Sequence, residues 1–305
     1  MMQSQGLNIL SVDLEDWFHI LDLHKSQPAP SAWDSFPSRL ELITDRILEL
    51  LSEQNVCATF FVLGWIAEKY PAIVKKIDFF GHEVACHGHE HALIYHQTPE
   101  QFRKDIRRAK RLLQDMTGKS VTGYRGPGFS ITRDNLWAFD IIAEEGFSYD
   151  ATLYPGKHAH GGIPGLPSTP FCLVTRSGHR IEEFPATILA LGGRRTAFSG
   201  GGYFRLCPLV IMTRLIAAFN RKGAPVMMYL HPRDLDSQTP RLPMSLKRRF
   251  KCYVNVSRSF NKLRLVLERH AFGSIRDWPN RQKEKMPTIS LSDFVPRERI
   301  ELLAG

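Results

Sequence analysis

The sequence predicts an α/β protein in which β/α units surround a mostly parallel sheet. Short apolar runs that are typical of buried strands alternate with segments of helical periodicity, and the links between them are short. In addition, polar residues follow the apolar runs at Asp13, His87, Arg125 and His231. In parallel β/α folds the loops after the strands carry the chemistry, so we expect these side chains to converge.

The individual elements follow from these patterns in chain order. Apolar runs predict strands at residues 7–13, 57–63, 83–86, 181–184 and 225–231, with a strand end at 122–128 and an extended segment at 147–150. Helical spacing predicts helices at 39–51, 67–77, 101–116, 135–145 and 208–220, and over most of 247–269. Residues 155–170 are rich in Gly and Pro and predict a long surface loop.

The bulk composition indicates a soluble globular protein. The chain has 305 residues, of which 43% are hydrophobic and 23% are charged, and it contains no uninterrupted apolar run of about 18 residues. Residues 1–6 lack the basic and apolar regions of a secretion signal. We therefore predict a cytoplasmic location, with peripheral attachment at the inner membrane as an alternative. The five cysteines form no C-x-x-C pair and predict reduced thiols.

The positive charge is concentrated at the C-terminal end. The net charge is +9, and residues 241–305 contain 15 Lys/Arg and 6 Asp/Glu, so 15 − 6 = +9 accounts for the whole excess. A solvated helix face is the simplest interpretation. The alternative is an anionic partner, such as a nucleotide-linked sugar, a lipid phosphate or a membrane surface. No groove-reading motif accompanies the charge, so nucleic acid is not expected.

Two histidines and an acidic cluster suggest a metal site. His87 and His91 are four residues apart, a spacing that brings two imidazoles onto one face of a helical turn. The third ligand is expected from the acidic cluster Asp13–Asp16, where Glu15 shares a strand face with Asp13 and Asp16 would need a turn. Two histidines and one carboxylate leave a position open for water, as in hydrolytic metal sites.

Other motifs narrow the chemistry. The H-E-x-x-H pattern fails because Cys86 and Leu93 stand where the second histidine is required, which disfavours a metalloprotease. The glycine-rich segment 200–205 is neither a P-loop nor G-x-G-x-x-G, and it is interpreted either as a substrate-lining loop or as a simple turn.

Three further residues fit acid–base roles around this site. Arg125 lies in a stiff Gly-Pro loop and can hold a carboxylate ionised. His231 ends a buried strand and can act as a general acid, with Asp150 as a candidate partner for its other ring nitrogen.

Five motifs in order resemble the polysaccharide deacetylase superfamily, also called the NodB-homology superfamily or carbohydrate esterase family 4. The resemblance covers about residues 8–236. The motifs are Ser11–Asp16, His87–His91 (with Gly88 where the family has Ser or Thr), Tyr124–Phe129, Tyr149–Thr152 and Leu230–Pro232. Residues 12–19, 200–205 and 231–236 are similar to deacetylases from bacterial exopolysaccharide loci, a subgroup with a C-terminal extension.

The resemblance implies a distorted (β/α) barrel with fewer than eight regular strands. A deacetylase domain at 1–236 and a C-terminal helical extension at 237–305, packed on the barrel, are expected. It also implies a divalent metal, with Zn²⁺ expected and Co²⁺ or Ni²⁺ as alternatives. The implied ligands are His87, His91 and one carboxylate. Because Leu14 stands where the common motif has a second aspartate, that carboxylate is either Glu15 or Asp16.

The remaining site roles are also carried over from the resemblance. Asp13 is the implied general base, oriented by Arg125, and His231 is the general acid, tuned by Asp150. The predicted substrate-binding residues lie within or beside the motifs and are Trp17, Pro127, Phe129 and Tyr203.

The predicted function is metal-dependent removal of N-acetyl groups from an N-acetylated sugar or polysaccharide, with release of acetate. The substrate could carry an anionic or lipid-linked moiety that meets the basic C-terminal region. Two alternatives remain open: an amidohydrolase that acts on a small ureide or cyclic amide, and a metal-free carbohydrate-binding homologue.

Overall fold

The computed structural model describes residues 7–21, 28–191 and 194–294. The strands are β1 (Asn8–Leu14), β2 (Thr59–Val62), β3 (Glu83–Cys86), β4 (Gly123–Tyr124), β5 (Tyr149–Asp150), β6 (Phe171–Val174), β7 (Arg180–Glu183), β8 (Ile188–Leu191), β9 (Arg194–Ala197), β10 (Met227–Leu230), β11 (Phe272–Gly273) and β12 (Thr288–Ser290). Two predictions concern residues outside this description. They are the absence of a secretion signal at residues 1–6 and the last part of the C-terminal extension, residues 295–305.

The helices alternate with the strands, as predicted. They are α1 (Leu40–Glu53), α2 (Gly64–Lys69), α3 (Pro71–Phe79), α4 (Pro99–Thr117), α5 (Trp137–Glu144), α6 (Gly201–Leu206), α7 (Leu209–Arg221), α8 (Pro232–Leu235), α9 (Leu246–Tyr253), α10 (Val256–Leu267) and α11 (Asn280–Lys283). In the described part of the chain, no helix is both long and apolar enough for a transmembrane segment.

A mostly parallel sheet organises the molecule. Its order is β10-β1-β2-β3-β4-β5-β7-β6-β12, with β11 beside the start of β1, and only the pairing of β6 with β7 is antiparallel among these described strands. In register, Leu14 lies beside Val62, Val62 beside Cys86, and Cys86 beside Tyr124. The residues that follow these strand ends therefore emerge at one edge of the sheet.

The sheet curls so that β10 meets the chain that follows β7. Gly200 forms a parallel bridge with Tyr229, the backbone N–H of Met227 donates to Thr187 Oγ1 at 2.8 Å, and Ser199 Oγ donates to the carbonyl of Met227 at 2.9 Å. A Cβ on Gly200 would lie 1.9 Å from the Tyr229 ring, so only glycine allows this approach. This closure, by one backbone bridge and two side-chain hydrogen bonds, agrees with the predicted distorted barrel.

Alternation along β1 separates two cores. Leu10, Val12 and Leu14 pack with the helices that cover the outside of the sheet. Ile9, by contrast, belongs to an inner cluster with residues of β2, β3 and β10. Side chains alternate along a strand, so Asp13 takes the same inner side as Ile9.

Two predicted helices are each broken in the structure. The predicted helix at 67–77 is divided into α2 and α3 at Tyr70 (φ −131°, ψ 59°), because a residue before a proline disfavours the helical conformation. The predicted segment 247–269 is divided into α9 and α10 at Asn255, which is left-handed (φ 54°). After these helices the chain adds β11 to β1 and β12 to β6, so it contributes strands as well as helices.

Candidate active site

Glu15, His87 and His91 form a compact buried cluster at the edge of the sheet. Glu15 Oε1 lies 3.3 Å from His87 Nε2 and 2.9 Å from His91 Nε2. All three side chains are buried, and their ligand atoms lie within 4.8 Å of one another. Sheet register explains the convergence, because Glu15 directly follows β1 and His87 directly follows β3.

The segment that carries the histidines is a loop, so the predicted helical turn is wrong. Gly88 and His91 both have positive φ (76° and 53°), which is incompatible with a right-handed helix. Asp105 on α4 fixes the loop by accepting the backbone N–H groups of His89 and Glu90 at 2.8 and 3.0 Å. The rings of His87 and His91 nevertheless lie 5.6 Å apart, so the loop brings them together without a helix.

The donor set fits a divalent cation such as Zn²⁺. His87 Nδ1 lies 2.7 Å from the carbonyl oxygen of Arg125, and as the donor there it leaves a lone pair on Nε2. That lone pair faces a Glu15 oxygen, so two acceptors approach each other and require a cation or a proton between them. Burial lowers the pKa of His91 despite the nearby Glu15 carboxylate, which favours the neutral, ligating imidazole.

Arg233 holds the other side of the Glu15 carboxylate. Its Nη1 donates to Glu15 Oε2 at 2.6 Å. Burial acts to raise the pKa of Glu15, but the cationic Arg233 and His231 oppose it, and that pKa is held well below its usual value. Glu15 is therefore ionised, with one oxygen fixed and the other facing the histidines.

Asp16, the alternative metal carboxylate, is turned away from the histidines. Its Oδ1 accepts the backbone N–H of Trp17 at 2.8 Å, and its other oxygen accepts a hydrogen bond from Ser38. Asp16 thus caps the short helical turn at 17–19, and burial raises its pKa. Among the described residues, Glu15 is the carboxylate brought to both histidines.

Asp13 lies beside this cluster between Arg125 and His231. Arg125 Nη1 donates to Asp13 Oδ1 at 2.6 Å, and the same nitrogen donates to Ser11 Oγ at 2.9 Å. The buried guanidinium also lies 4.1 Å from the Phe61 ring centroid, which limits its movement. His231 Nε2 lies 3.8 Å from Asp13 Oδ2 and 3.5 Å from Glu15 Oε1. Asp13 Oδ2 therefore faces the side on which His231 and Glu15 meet.

The partner of His231 is Asp234, which corrects the prediction for Asp150. His231 Nδ1 lies 3.1 Å from Asp234 Oδ2. Both oxygens of Asp150 instead accept hydrogen bonds from Thr152, one from the backbone N–H and one from the hydroxyl. Burial and Arg233 act to lower the pKa of His231, but Glu15 and Asp234 outweigh them and raise it to about 9. Asp234 thus lies in the position beside His231 that was predicted for Asp150.

Arg205 connects Asp234 to the C-terminal helices. Its Nε lies 3.1 Å from Asp234 Oδ1, while its two terminal nitrogens donate to the carbonyls of Lys251 at 2.8 Å and Cys252 at 2.5 Å. These carbonyls end α9, where the helix dipole favours a cation. The support of His231 therefore extends from Asp234 through Arg205 to α9.

A cavity of about 340 Å³ opens over these groups. Its lining includes Asp13, Glu15, His91, Phe129, Tyr203 and His231. Two of the four predicted substrate-binding residues, Phe129 and Tyr203, therefore line it, and the exposed ring of Tyr203 is well placed for stacking.

The other two predicted substrate-binding residues do not line this cavity. Trp17 is buried among Phe18 and Phe36, and its Nε1 donates to the Pro37 carbonyl at 3.0 Å. Pro127 is buried at the start of a short helical turn. Packing against protein leaves neither side chain a surface to offer a sugar, so both predictions are corrected.

Four important residues were not identified from the sequence: Asp105, Arg205, Arg233 and Asp234. A signal was available for two of them, because Arg233 and Asp234 directly follow His231 after a buried strand. Arg205 ends the glycine-rich segment 200–205, which was interpreted only as a loop or a turn. Asp105 acts through contacts distant in sequence, and its own neighbourhood gives no comparable sign.

Comparisons with known proteins agree with this architecture. The polysaccharide deacetylase family matches residues 26–140, which include His87, His91 and Arg125. A domain of unknown function, DUF3473, matches residues 151–279, which include His231. A peptidoglycan-N-acetylglucosamine deacetylase of Bacillus cereus is 31% identical over 152 residues, or 40% of this chain and 55% of that protein. A peptidoglycan deacetylase of Helicobacter pylori is 31% identical over 108 residues, or 35% and 36%.

The chain thus spans about half or less of the length of these curated relatives. Fold similarity extends further. A crystal structure of a Mycobacterium smegmatis protein, provisionally described as a polysaccharide deacetylase, covers 94% of this chain and 95% of its own, with a TM-score of 0.63 and 18% identity. Residues 26–140 of the chain are thus similar to the polysaccharide deacetylase family, and residues 151–279 are similar to DUF3473.

Proposed function

We propose that this protein is a metal-dependent hydrolase that removes N-acetyl groups from an N-acetylated sugar or polysaccharide and releases acetate. The observation that carries the proposal is the meeting of Glu15, His87 and His91 beside Asp13 and His231. All of these except His87 line one cavity. The match of residues 26–140 to the polysaccharide deacetylase family supports the same class of reaction. Glu15, His87 and His91 would hold the ion, with Zn²⁺ expected from the two imidazoles and one carboxylate.

When bound, the ion would polarise the acetamide carbonyl and acidify a water molecule. The protein supplies the base. Asp13 Oδ1 is occupied by Arg125, which leaves Oδ2 to accept a proton from the attacking water. Because Arg125 is buried and tied to Ser11 and to the Ala151 carbonyl, it keeps Asp13 in a single orientation. Such preorganisation reduces the cost of aligning the base.

His231 supplies the acid. Its raised pKa keeps the imidazole protonated at neutral pH, so Nε2–H can protonate the departing amine. Asp234 fixes the ring through Nδ1, and the same carboxylate accepts the backbone N–H of His231 at 2.9 Å. Asp13 would thus act as the base and His231 as the acid in the same hydrolysis.

We further propose that the substrate carries an anionic group near the acetylated sugar. The three carboxylates of the cavity wall are each paired with an arginine: Asp13 with Arg125, Glu15 with Arg233, and Asp234 with Arg205. Two additional cations line the same cavity, namely Lys157 and Lys251. They give the entrance an excess of positive charge, which suits a phosphoryl or carboxylate group.

Acetate release from a panel of N-acetylated glycans tests the main proposal. We expect release that a chelator abolishes and that Zn²⁺, Co²⁺ or Ni²⁺ restores. Including phosphorylated and unphosphorylated sugars tests the anionic group, because Lys251→Glu should raise KM for the phosphorylated sugar alone. Ammonia release from a ureide without acetate release would support the amidohydrolase instead. Metal-free protein that binds glycans without hydrolysis would indicate a binding homologue.

A further inference from the structure

Helix α9 presents an apolar face to solvent. Leu246 is 83% exposed and Phe250 is 57% exposed, and no residue of the helix is buried. The two positions are four residues apart, so they lie on one face. Large apolar side chains at such exposure are costly in water unless they meet a partner.

The chain segment that carries this face is basic and contains no acidic residue. Residues 237–267 include eight Lys/Arg and no Asp/Glu. Lys247 and Arg249 are exposed on α9 itself. A short helix with apolar side chains and flanking cations is typical of a segment that lies in the interface of an anionic bilayer.

The neighbouring helices continue the same character. Arg205 joins α6 to the end of α9, and α7 follows α6 directly. This part of the chain exposes four further apolar side chains, which are Tyr203, Leu206, Val210 and Ile211. Residues 184–233 also contain no Asp or Glu. We define the basic apolar surface as Leu246, Lys247, Arg249 and Phe250 on α9, and the four exposed side chains of α6 and α7 are not part of it.

We propose that the basic apolar surface docks onto the surface of an anionic lipid bilayer. Charge complementarity selects this occupant. A second copy of the chain, paired through the same surface, would bring an equal positive charge against it. A polyanion such as a nucleic acid would match the charge but would leave Leu246 and Phe250 in water. An anionic bilayer offers both headgroup charge and acyl chains.

Docking would also fix the position of the cavity relative to the bilayer. Arg248 and Lys251 line the cavity from α9, and at 3.6 residues per turn they lie on the side of the helix opposite Leu246 and Phe250. The cavity would therefore lie behind α9, about one helix diameter from the lipid headgroups. This inference goes beyond the proposed hydrolysis and does not depend on it, since vesicle binding can be measured without turnover.

Flotation of the full-length protein with vesicles tests the inference. We expect binding to vesicles that contain phosphatidylglycerol, weak binding to pure phosphatidylcholine, and release by high salt. The double variant Leu246→Ser/Phe250→Ser should bind at least about tenfold more weakly. Lys247→Glu/Arg249→Glu should show a similar loss with a reduced dependence on salt. Circular dichroism melts would establish that the variants are folded.

A matched control is Phe79→Ser, because Phe79 is 85% exposed but lies on α3. This variant should bind vesicles like the wild type. The inference is overturned if wild-type protein does not float with anionic vesicles, or if Phe79→Ser loses as much binding as the α9 variant. It is also overturned if sedimentation shows a dimer that the α9 variant abolishes while vesicle binding is absent.

Discussion

Two regions meet at the cavity, and they are built in different ways. The first, which we call the donor edge, consists of Glu15, His87 and His91 at the ends of β1 and β3. The second, which we call the acid support, consists of His231, Asp234 and Arg205. The donor edge follows from neighbouring strands in register. The acid support depends on ion pairs between segments that the register does not align.

The difference shows which residue roles can be predicted from local sequence patterns. Residues of the donor edge have chemistry that is visible in their type and spacing, because imidazole and carboxylate groups after strands predict a metal site. Residues of the acid support act by holding another side chain, and any Arg or Asp has many possible partners. The largest expected effects therefore come from the donor edge, and the acid support should tune rather than abolish activity.

The strongest test of the donor edge is His87→Ala. We expect the loss of stoichiometric metal and of essentially all acetate release, because two ligands cannot hold the ion in place. Elemental analysis and the acetate assay measure the two effects. His179→Ala, which removes an exposed histidine, is the control. An active, metal-replete His87→Ala protein would contradict the ligand assignment.

Asp13→Asn separates the base from the metal ligands. We expect kcat to fall by about 100-fold or more, since an amide cannot accept the proton of water. The metal content should stay near that of the wild type, because Asp13 is not among the three proposed ligands. Wild-type turnover in this variant would remove Asp13 from the role of base.

Asp234→Asn tests the acid support. We expect kcat to fall by roughly tenfold, with little change in metal content. A protonated His231 is required, so activity is lost as pH rises through its folded-state pKa. Asp234 raises that pKa, and its neutralisation should move the basic limb of the pH profile to lower pH. Asp150→Asn provides the comparison, and an equal shift of that limb in Asp150→Asn would restore Asp150 to the tuning role.

Gly88→Ala gives the smallest expected effect and tests the loop of the donor edge. A Cβ at φ 76° would lie 2.8 Å from Asp105 Oδ2. We expect the free energy of unfolding to fall by about 1–2 kcal/mol, with a few-fold weaker metal affinity. Gly118→Ala is the matched control, since Gly118 has a similar φ of 67° but no atom within 4 Å of its Cβ position. Equal losses in both variants would show that the Asp105 contact is unimportant.

The sequence predicted the alternation of strands and helices well, because apolar runs and helical periodicity are local. It also predicted that Asp13, His87, His91 and His231 lie close together. It did not reveal that His87 and His91 lie on a loop, because the same spacing is compatible with both conformations. It misassigned the partner of His231, because resemblance pointed to Asp150 while Asp234 lies on the next helical turn. Trp17 and Pro127 failed as substrate contacts because tertiary packing buries them.

The contact of Arg205 with the end of α9 has a consequence for any shortened version of the protein. A chain that stopped after residue 236 would retain Asp13, His87, His91 and His231, yet Arg205 would lose the Lys251 and Cys252 carbonyls that hold it. The Arg205 guanidinium could then adopt other conformations, and His231 would lose the support that reaches it through Asp234. We therefore expect the minimal catalytic fragment to extend through α9, because this part of the C-terminal extension holds Arg205 in position.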